Sequence, residues 1–255
     1  MTGALRLERD GAVATLVIDQ PARRNAMTRA MWLALPALVA QAVADDGVAL
    51  LRVQGTGGHF CAGADIAEFA ATYATAEGAE AANVAIAAAA DALAACPKPS
   101  VAVIRGACVG GGVALALACD LRLAAPDARF AVTPAKLGLI YSHADTLRLV
   151  RAVGAAMAKD LLFTARVVEA EEALRIGLVQ RIAAAAEVEA CCAALATASR
   201  PALRATKAMV AAIEAGALRE TPDLSALFRD AFSGADFREG RDAFLAKRAP
   251  VFTAR

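Results

Sequence analysis

The chain is poor in the residues that most often carry chemistry. Among 255 residues it has two histidines, two tyrosines and one tryptophan. Its six cysteines, Cys61, Cys96, Cys108, Cys119, Cys191 and Cys192, never stand in C-x-x-C spacing. With so few imidazoles and no thiol pair at ligand spacing, no metal site is expected. The cysteines read instead as small core residues in a reducing compartment. An excess of one charge is also lacking, since 27 Lys and Arg meet 26 Asp and Glu for a net charge of +1. Nucleic-acid surfaces are strongly basic, so no nucleic-acid partner is expected. The N-terminal residues alternate and carry charge throughout, unlike a secretory leader. The most alanine-rich run, Ala81 to Cys96, contains Asn83 and Asp91 and is too short for a bilayer span. These absences point to a cytoplasmic protein without a membrane partner.

Hydrophobic residues make up 58% and charged residues 21%. Much of the apolar share is alanine, the best helix former and a weak hydrophobe, which implies helix-rich packing. Ala4 to Asp19 reads as two strands around a turn at Asp10-Gly11, the second buried on both faces. Asn25 or Thr28 caps a helix reaching about Ala44, with Met27, Met31, Leu35 and Leu38 at helical spacing. Val48 to Gln54 is a buried strand, and an alanine-rich helix runs from about Ala76 to Cys96, stopped by Pro97 and Pro99. Strands are expected at Val101–Ile104, Leu121–Ala124, Arg129–Val132 and Leu178–Ile182, and a helix at Val113–Ala118. Helical spacing then dominates to the end. The result is one α/β region over residues 1–195 and a helical region over residues 196–255.

Two glycine-rich loops stand out. Each follows a buried strand, and the second directly opens a helix. N–H groups at a helix N-terminus lack backbone partners, and glycine lets a ligand approach them closely. Such a place suits a phosphate or a developing oxyanion. Gly106–Gly112 has neither the spacing of a dinucleotide-binding loop nor the lysine of a P-loop.

The run Gly55-x-Gly-Gly-His-Phe-Cys-Ala-Gly-Ala-Asp65-Ile resembles the first signature of the enoyl-CoA hydratase/isomerase (crotonase) superfamily. Lys98 to Gly112, continuing to Ala118-Cys119-Asp120, resembles its second. Shorter matches extend the resemblance over nearly the whole chain: Asn25-Ala26-Met27, Lys136-Leu-Gly138-Leu, Ala170 to Val179, and Glu239-Gly to Pro250. The resemblance implies a ClpP/crotonase-like spiral of ββα units with a helical C-terminal region that builds homotrimers, often paired into hexamers. It implies acyl-CoA thioesters as ligands, with no permanently bound cofactor, since coenzyme A is part of the substrate. By the same resemblance the N–H groups of Ala62 and Gly111 hold the thioester oxygen. Ala62, Gly63, Ala64, Asp65 and Ile66 then line the adenine and pantetheine, beside Gly110. Ala22, Arg23 and Arg24 flank the ligand near its phosphates, and Lys247 or Arg248 adds charge. The acyl pocket wall is expected from Glu68 to Ala87 and from the C-terminal helices. His59 and Asp120 read as structural, and Asp65 as a cap of the following turn.

The sequence departs from the superfamily where hydratases place two glutamates. The first position is Ala114; the second is Pro134, or Ala135 in the alternative register. The aspartate of some dienoyl isomerases and dehalogenases falls on Ser142. The nearby Thr133 to Asp145 segment holds Tyr141 and His143, and its Thr-Pro…Leu-Gly…Tyr pattern resembles the methylmalonyl-CoA decarboxylase type. Decarboxylation forms the same enolate without removing a proton. Tyr141 would then orient the carboxylate and His143 supply the proton, so a malonyl-type CoA is favoured narrowly. Hydration or double-bond isomerisation with Tyr141, His143 or Asp145 as acid or base is the alternative. A non-catalytic acyl-CoA-binding homologue is the alternative of another class.

Overall fold

The computed structural model describes residues 3–253 apart from 69–71 and 73. Strands β1 (Ala4–Asp10) and β2 (Val13–Asp19) form an antiparallel hairpin, paired from Ala4↔Asp19 to Asp10↔Val13. The five central residues of β2 are buried, as expected of a strand covered on both faces. Parallel strands β3 (Leu50–Gly55), β4 (Ser100–Ile104), β6 (Leu121–Ala124) and β9 (Arg181–Ile182) follow. The six-stranded sheet runs β1-β2-β3-β4-β6-β9.

A second sheet, β5-β7-β8, contains β5 (Ala107–Val109), β7 (Arg129–Ala131) and the short β8 (Val168–Glu169). Sequence patterning misses β5 and β8, because two or three residues are too few to show a period. Successive units thus give one strand to each sheet, β4 with β5 and β6 with β7, which is the spiral expected from the resemblance. The isolated bridge Cys61↔Cys108 brings the first glycine-rich loop to the free side of β5.

Helix α1 (Arg29–Ala44) is capped by Thr28, whose hydroxyl accepts from the Met31 N–H at 3.3 Å. It buries Met31, Trp32, Leu35 and Val39. Pro36 lies inside it and lacks the N–H that would bond to the Trp32 carbonyl. The alanine-rich α2 (Ala76–Ala94) packs against α1. Helix α3 (Gly111–Ala118) buries seven of its eight residues, which accounts for its wholly apolar sequence.

Helices α4 (His143–Val153), α5 (Ala155–Thr164), α6 (Ala170–Arg175) and α7 (Ala185–Thr197) cover the spiral. The last three are α8 (Arg200–Glu214), α9 (Pro222–Ser233) and α10 (Ala235–Leu245), and they leave Phe228, Phe232, Phe237 and Phe244 exposed. No helix among the described residues is long and apolar enough to cross a membrane.

Buried polar groups tie these pieces together. Lys98 donates from its Nζ to the carbonyls of Ala42 and Asp45 at the end of α1, at 2.8 and 2.7 Å. Asp120 accepts from the Ser100 N–H, the Ser100 hydroxyl and Lys207, so the structural role expected for it holds. All six thiols are free, and all but Cys191 are buried.

Candidate active site

The site begins with a chain reversal after β2. Arg24 and Asn25 both adopt left-handed backbone, at φ 51° and 58°. This conformation is rare outside glycine, though asparagine tolerates it best. The fully buried Asn25 side chain holds it. Its Oδ1 accepts from the Gln20 N–H at 2.9 Å, and its Nδ2 donates to the carbonyls of Thr56 and His59 at 2.7 Å each. Asn25 is therefore a staple between two loops, while Thr28 alone caps α1.

Asp65 is the second staple. Its carboxylate accepts from Arg23 at 2.6 and 2.8 Å, from Gln20 Nε2 at 3.1 Å and from the Ala67 N–H at 3.0 Å. Burial by itself would raise the Asp65 pKa, but the Ala67 N–H, Arg23 and Gln20 outweigh it and hold the carboxyl below its usual value. The expected capping role is present, in the 3₁₀ turn Ile66–Glu68. Arg23 spends one nitrogen on Asp65 and keeps the rest of its guanidinium exposed. Ala22, Arg24 and Ile66 are exposed as well.

The two glycine-rich loops meet between Gly63 and Gly111. Gly63 sits at φ +96°, and a side chain there would meet the Val109 carbonyl oxygen at 2.9 Å and the Gly111 nitrogen at 3.3 Å. A side chain on Gly112 would reach the Cys61 carbonyl oxygen at 2.2 Å. Only glycine permits so close an approach. His59 supports the junction, its Nδ1 accepting from the Ala107 N–H at 3.1 Å. Cys61 is no nucleophile here, because burial pushes its thiol up to about 12.

The structure corrects one donor of the expected pair. The Ala62 N–H donates to the Arg24 carbonyl at 3.0 Å and is not free for a ligand. Two residues on, the Ala64 N–H has no hydrogen-bond partner among the described residues, and neither does the Gly111 N–H. Ala64 and Gly111 thus flank the Gly63 contact with unpaired donors. The signature contains two alanines around one glycine, which local pattern does not tell apart. Only the bond to Arg24 distinguishes them.

Ala64 opens on a small cleft of about 30 Å³. Met27, Trp32, Ala82, Ala85 and Ile86 line it with apolar surface, and Arg29, Asp65, Glu68 and Thr72 with polar groups. The expected wall from Glu68 to Ala87 is thereby met in part. Its Phe69, Ala70, Ala71 and Tyr73 lie outside the described residues. No lining residue of this cleft comes from the C-terminal helices. Lys247 is an exposed residue with left-handed backbone just after α10, and no hydrogen bond or ion pair joins it to the two loops among the described residues.

Two cleft residues escape the sequence motifs. Glu68 accepts from the Arg29 N–H at the start of α1, at 2.7 Å. Trp32 is 3% exposed, and its indole Nε1 is buried without a hydrogen-bond partner among the described residues. An orphaned buried donor costs about 1–3 kcal/mol. Helical spacing marks Met31 and Leu35 as core and places Trp32 beside them, but gives no sign of the unpaired N–H.

On the other side lies the Thr133–Asp145 segment. Ala114 is fully buried in α3, and Pro134 and Ala135 begin a 3₁₀ turn, so neither register supplies a carboxylate. The Tyr141 hydroxyl donates to the Gly110 carbonyl at 3.1 Å. Burial, and then nearby Asp145, push its pKa far above the usual tyrosine value, so it stays protonated. Here the hydroxyl proton is directed at the loop carbonyl, and the orienting role expected of Tyr141 requires that bond to be exchanged for one to the substrate. His143 is exposed in the first turn of α4. Asp145 is buried against Ser142 Oγ at 2.7 Å and Arg148 at 3.0 Å.

Comparison with known proteins agrees with this geometry. The family described as enoyl-CoA hydratase/isomerase matches residues 8–255. A crystal structure of an enoyl-CoA hydratase/isomerase family protein from Hyphomonas neptunium superposes with a TM-score of 0.93 at 45% identity, covering 98% of each chain. An enoyl-CoA hydratase/carnithine racemase structure from Magnetospirillum magneticum gives 0.93 at 34% identity, covering 98% of this chain and 96% of that one. The crotonyl-CoA hydratase of Syntrophomonas wolfei is 34% identical over 261 residues, 98% of this chain and 97% of its own. With its crotonase-like spiral and its two glycine-rich loops in register, the chain belongs to the enoyl-CoA hydratase/isomerase family.

Proposed function

We propose that the protein binds an acyl-CoA thioester with its carbonyl oxygen between the N–H groups of Ala64 and Gly111. It acts on that thioester by hydration or double-bond shift through an enolate. The observation that carries this reading is the pair of unpaired donors flanking the Gly63–Gly111 contact beside an apolar cleft. Charge grows on the thioester oxygen as the enolate forms, and one well-placed donor of this kind is worth about 3–4 kcal/mol. Glu68 is the cleft carboxylate without an arginine partner among the described residues and takes the acid/base role in this reading. The S. wolfei relative is named for hydration, which favours that reaction over others.

Coenzyme A enters as part of the substrate, with no resident cofactor. The free face of Arg23, with Arg24 beside it, suits its phosphates, and Ala22, Gly63, Asp65, Ile66 and Gly110 flank its path. Lys247 adds charge from the C-terminus of a neighbouring copy. The exposed phenylalanines of α9 and α10 support assembly into trimers or hexamers. A cytoplasmic location completes the reading, supported by six thiols without a disulfide.

Decarboxylation of a malonyl-type CoA is the second reading, and the absence of a carboxylate at Ala114 and at Pro134 favours it. His143 would supply its proton.

Mass spectrometry of purified protein with crotonyl-, 3-hydroxybutyryl-, 3-enoyl-, malonyl-, methylmalonyl- and ethylmalonyl-CoA separates these readings. Gain or loss of water, or a moved double bond, that vanishes in Glu68→Gln is the expected result. Loss of carbon dioxide would install the second reading. Binding of CoA esters without turnover would make the protein a non-catalytic acyl-CoA binder.

A further inference from the structure

We infer that His59 is a pH-sensitive prop: its neutral imidazole holds the two glycine-rich loops together, and its protonation loosens them. The consequence for turnover rests on the acyl-CoA reading given above. His59 belongs to the first loop, and Ala107 opens β5 in the second. The Ala107 carbonyl accepts from the Phe60 and Cys61 N–H groups at 3.1 and 3.0 Å. Its N–H donates back to His59 Nδ1 at 3.1 Å. Ala107 thus meets the first loop through both of its backbone groups. The chain then reaches Gly111 through Val109, whose N–H donates to the Cys61 carbonyl at 2.9 Å, and Gly110, whose N–H donates to the Ala131 carbonyl at 2.9 Å.

An imidazole nitrogen accepts only while it carries no proton, so this bond requires the neutral ring with its proton on Nε2. A second proton, on Nδ1, would face the Ala107 N–H, donor against donor. Neither side has room to step aside. β5 is pinned to β7 from Ala107↔Arg129 to Val109↔Ala131. The His59 carbonyl is held by Asn25 Nδ2 at 2.7 Å. The ring lies against Gly106, at φ +48°, where a side-chain carbon would come within 2.4 Å of Nδ1 and 3.1 Å of Cε1. Once charged, the ring must swing away from Ala107, and the alignment of the Ala64 and Gly111 donors slackens with the junction. His59 is half-buried, so a proton from solvent can reach it.

The other ionisable groups nearby keep their charge state where histidine changes its own. On the segments packed against His59 these are Asp19 beyond Thr56, Arg24 beside Asn25, Arg105 before Gly106, and Arg129, whose N–H donates to the Gly106 carbonyl at 2.8 Å. Thr56 and then Arg6 hold the Asp19 carboxyl below its usual value. Arginines stay charged throughout. Glu169 reaches Arg129 at 3.2 Å and is exposed. Burial pushes the Cys61 thiol up to about 12 and the Cys108 thiol well above its usual value, so both stay protonated. Histidine is the side chain that gains charge between about pH 8 and 5, so the switch on these segments belongs to His59. The chain's other histidine, His143, is exposed in the first turn of α4.

The test titrates the full-length protein from about pH 7.5 to about 5.5 by NMR and by steady-state kinetics. Two histidines give two imidazole signals, and the one missing from His59→Asn belongs to His59. Asparagine offers an acceptor oxygen in place of Nδ1 and does not titrate. We expect the Ala107 and Gly111 amide cross-peaks of the wild type to move with the midpoint of the His59 imidazole, and to stay in place in His59→Asn. With a thioester that the protein turns over, wild-type kcat/KM should fall about tenfold over this range, as a histidine gains its proton. In His59→Asn it should stay level between the two ends. An Ala107 amide that ignores the His59 titration, or an acid loss of turnover that survives in His59→Asn, overturns the inference while leaving the acyl-CoA reading intact. Amides that follow His59 in a protein that turns over no thioester keep the prop and remove the acyl-CoA reading. The wild-type titration decides the matter even where the variant folds poorly.

Discussion

The two sides of the candidate site are built differently. The segment from Gln20 to Asp65 is locked by buried polar side chains, with Asn25 holding three backbone groups and Asp65 four donor contacts. The segment from Thr133 to Asp145 lies largely on the surface, with Leu137 and Leu139 exposed and Ile140 at 94%. Its anchors are the Tyr141 hydroxyl on Gly110 and the Ser142–Asp145 cap of α4. Backbone donors must already be in place when charge develops, because reorganising them would consume what they supply. The rigid side is therefore the one that presents Ala64 and, through Gly63, meets Gly111. The looser side props the Gly110 carbonyl and offers no carboxylate at the second glutamate position in either register, Pro134 or Ala135.

Gly111→Pro should have the largest effect on turnover. Proline is tolerated at the first position of a helix such as α3. It removes the donor, so kcat/KM should fall about 10²–10³-fold. The proline ring presses on Trp32, so a thermal melt should accompany the kinetics. Full activity in this variant would sink the donor assignment.

Asn25→Ala should hurt stability most on the rigid side. It orphans the Gln20 N–H and leaves the Thr56 and His59 carbonyls short of a partner, a loss of about 3 kcal/mol readable as a shifted urea midpoint. A shift below ~1 kcal/mol would mean that water replaces the side chain.

Asp65→Asn sharpens the comparison through pH. The native carboxyl titrates below its unfolded value, so its contribution is complete above about pH 4 and disappears as pH falls through the lower folded value. The wild type should lose stability over that acid window, and Asp65→Asn should show a flatter profile starting about 2 kcal/mol lower at neutral pH. Parallel profiles would assign the acid loss to other carboxylates.

On the looser side, Tyr141→Phe removes one hydrogen bond to Gly110, an expected cost of about 1 kcal/mol. Turnover should drop less than about tenfold, because Tyr141 acts through the loop. A larger drop in kcat without a matching loss of stability would return Tyr141 to direct contact with substrate. Ile140→Ser should be the mildest change for the folded chain, within about 0.5 kcal/mol. If sedimentation shows a smaller assembly for this variant, Ile140 belongs to a contact between copies.

Much of this layout is legible in the linear chain. Alternation marks β1 and β2, the alanine run marks α2 within two residues of its end, and Thr28 is one of two proposed caps for α1. The motifs locate both loops and the missing carboxylates at Ala114 and Pro134. What escapes depends on partners distant in sequence. β5 is too short to show a period, and exists because it pairs with β7 and meets Cys61. Asn25 looks like a helix cap until its contacts with Thr56 and His59, over thirty residues away, are seen. Glu68 lies in no motif, and reaches the cleft because the 3₁₀ turn after Asp65 carries it to the start of α1.

The sequence by itself determined the family, the α/β order of elements and the two glycine positions where loops must approach closely, because these follow from local pattern and side-chain size. Only the tertiary structure decided which N–H groups remain unpaired. Ala62 and Ala64 are the same residue two positions apart; the Arg24 carbonyl, held by a left-handed turn nearly forty residues earlier, occupies one and leaves the other open. The unpaired Trp32 nitrogen has the same origin. A hydrogen bond is a relation between two groups, and no single stretch of chain contains both.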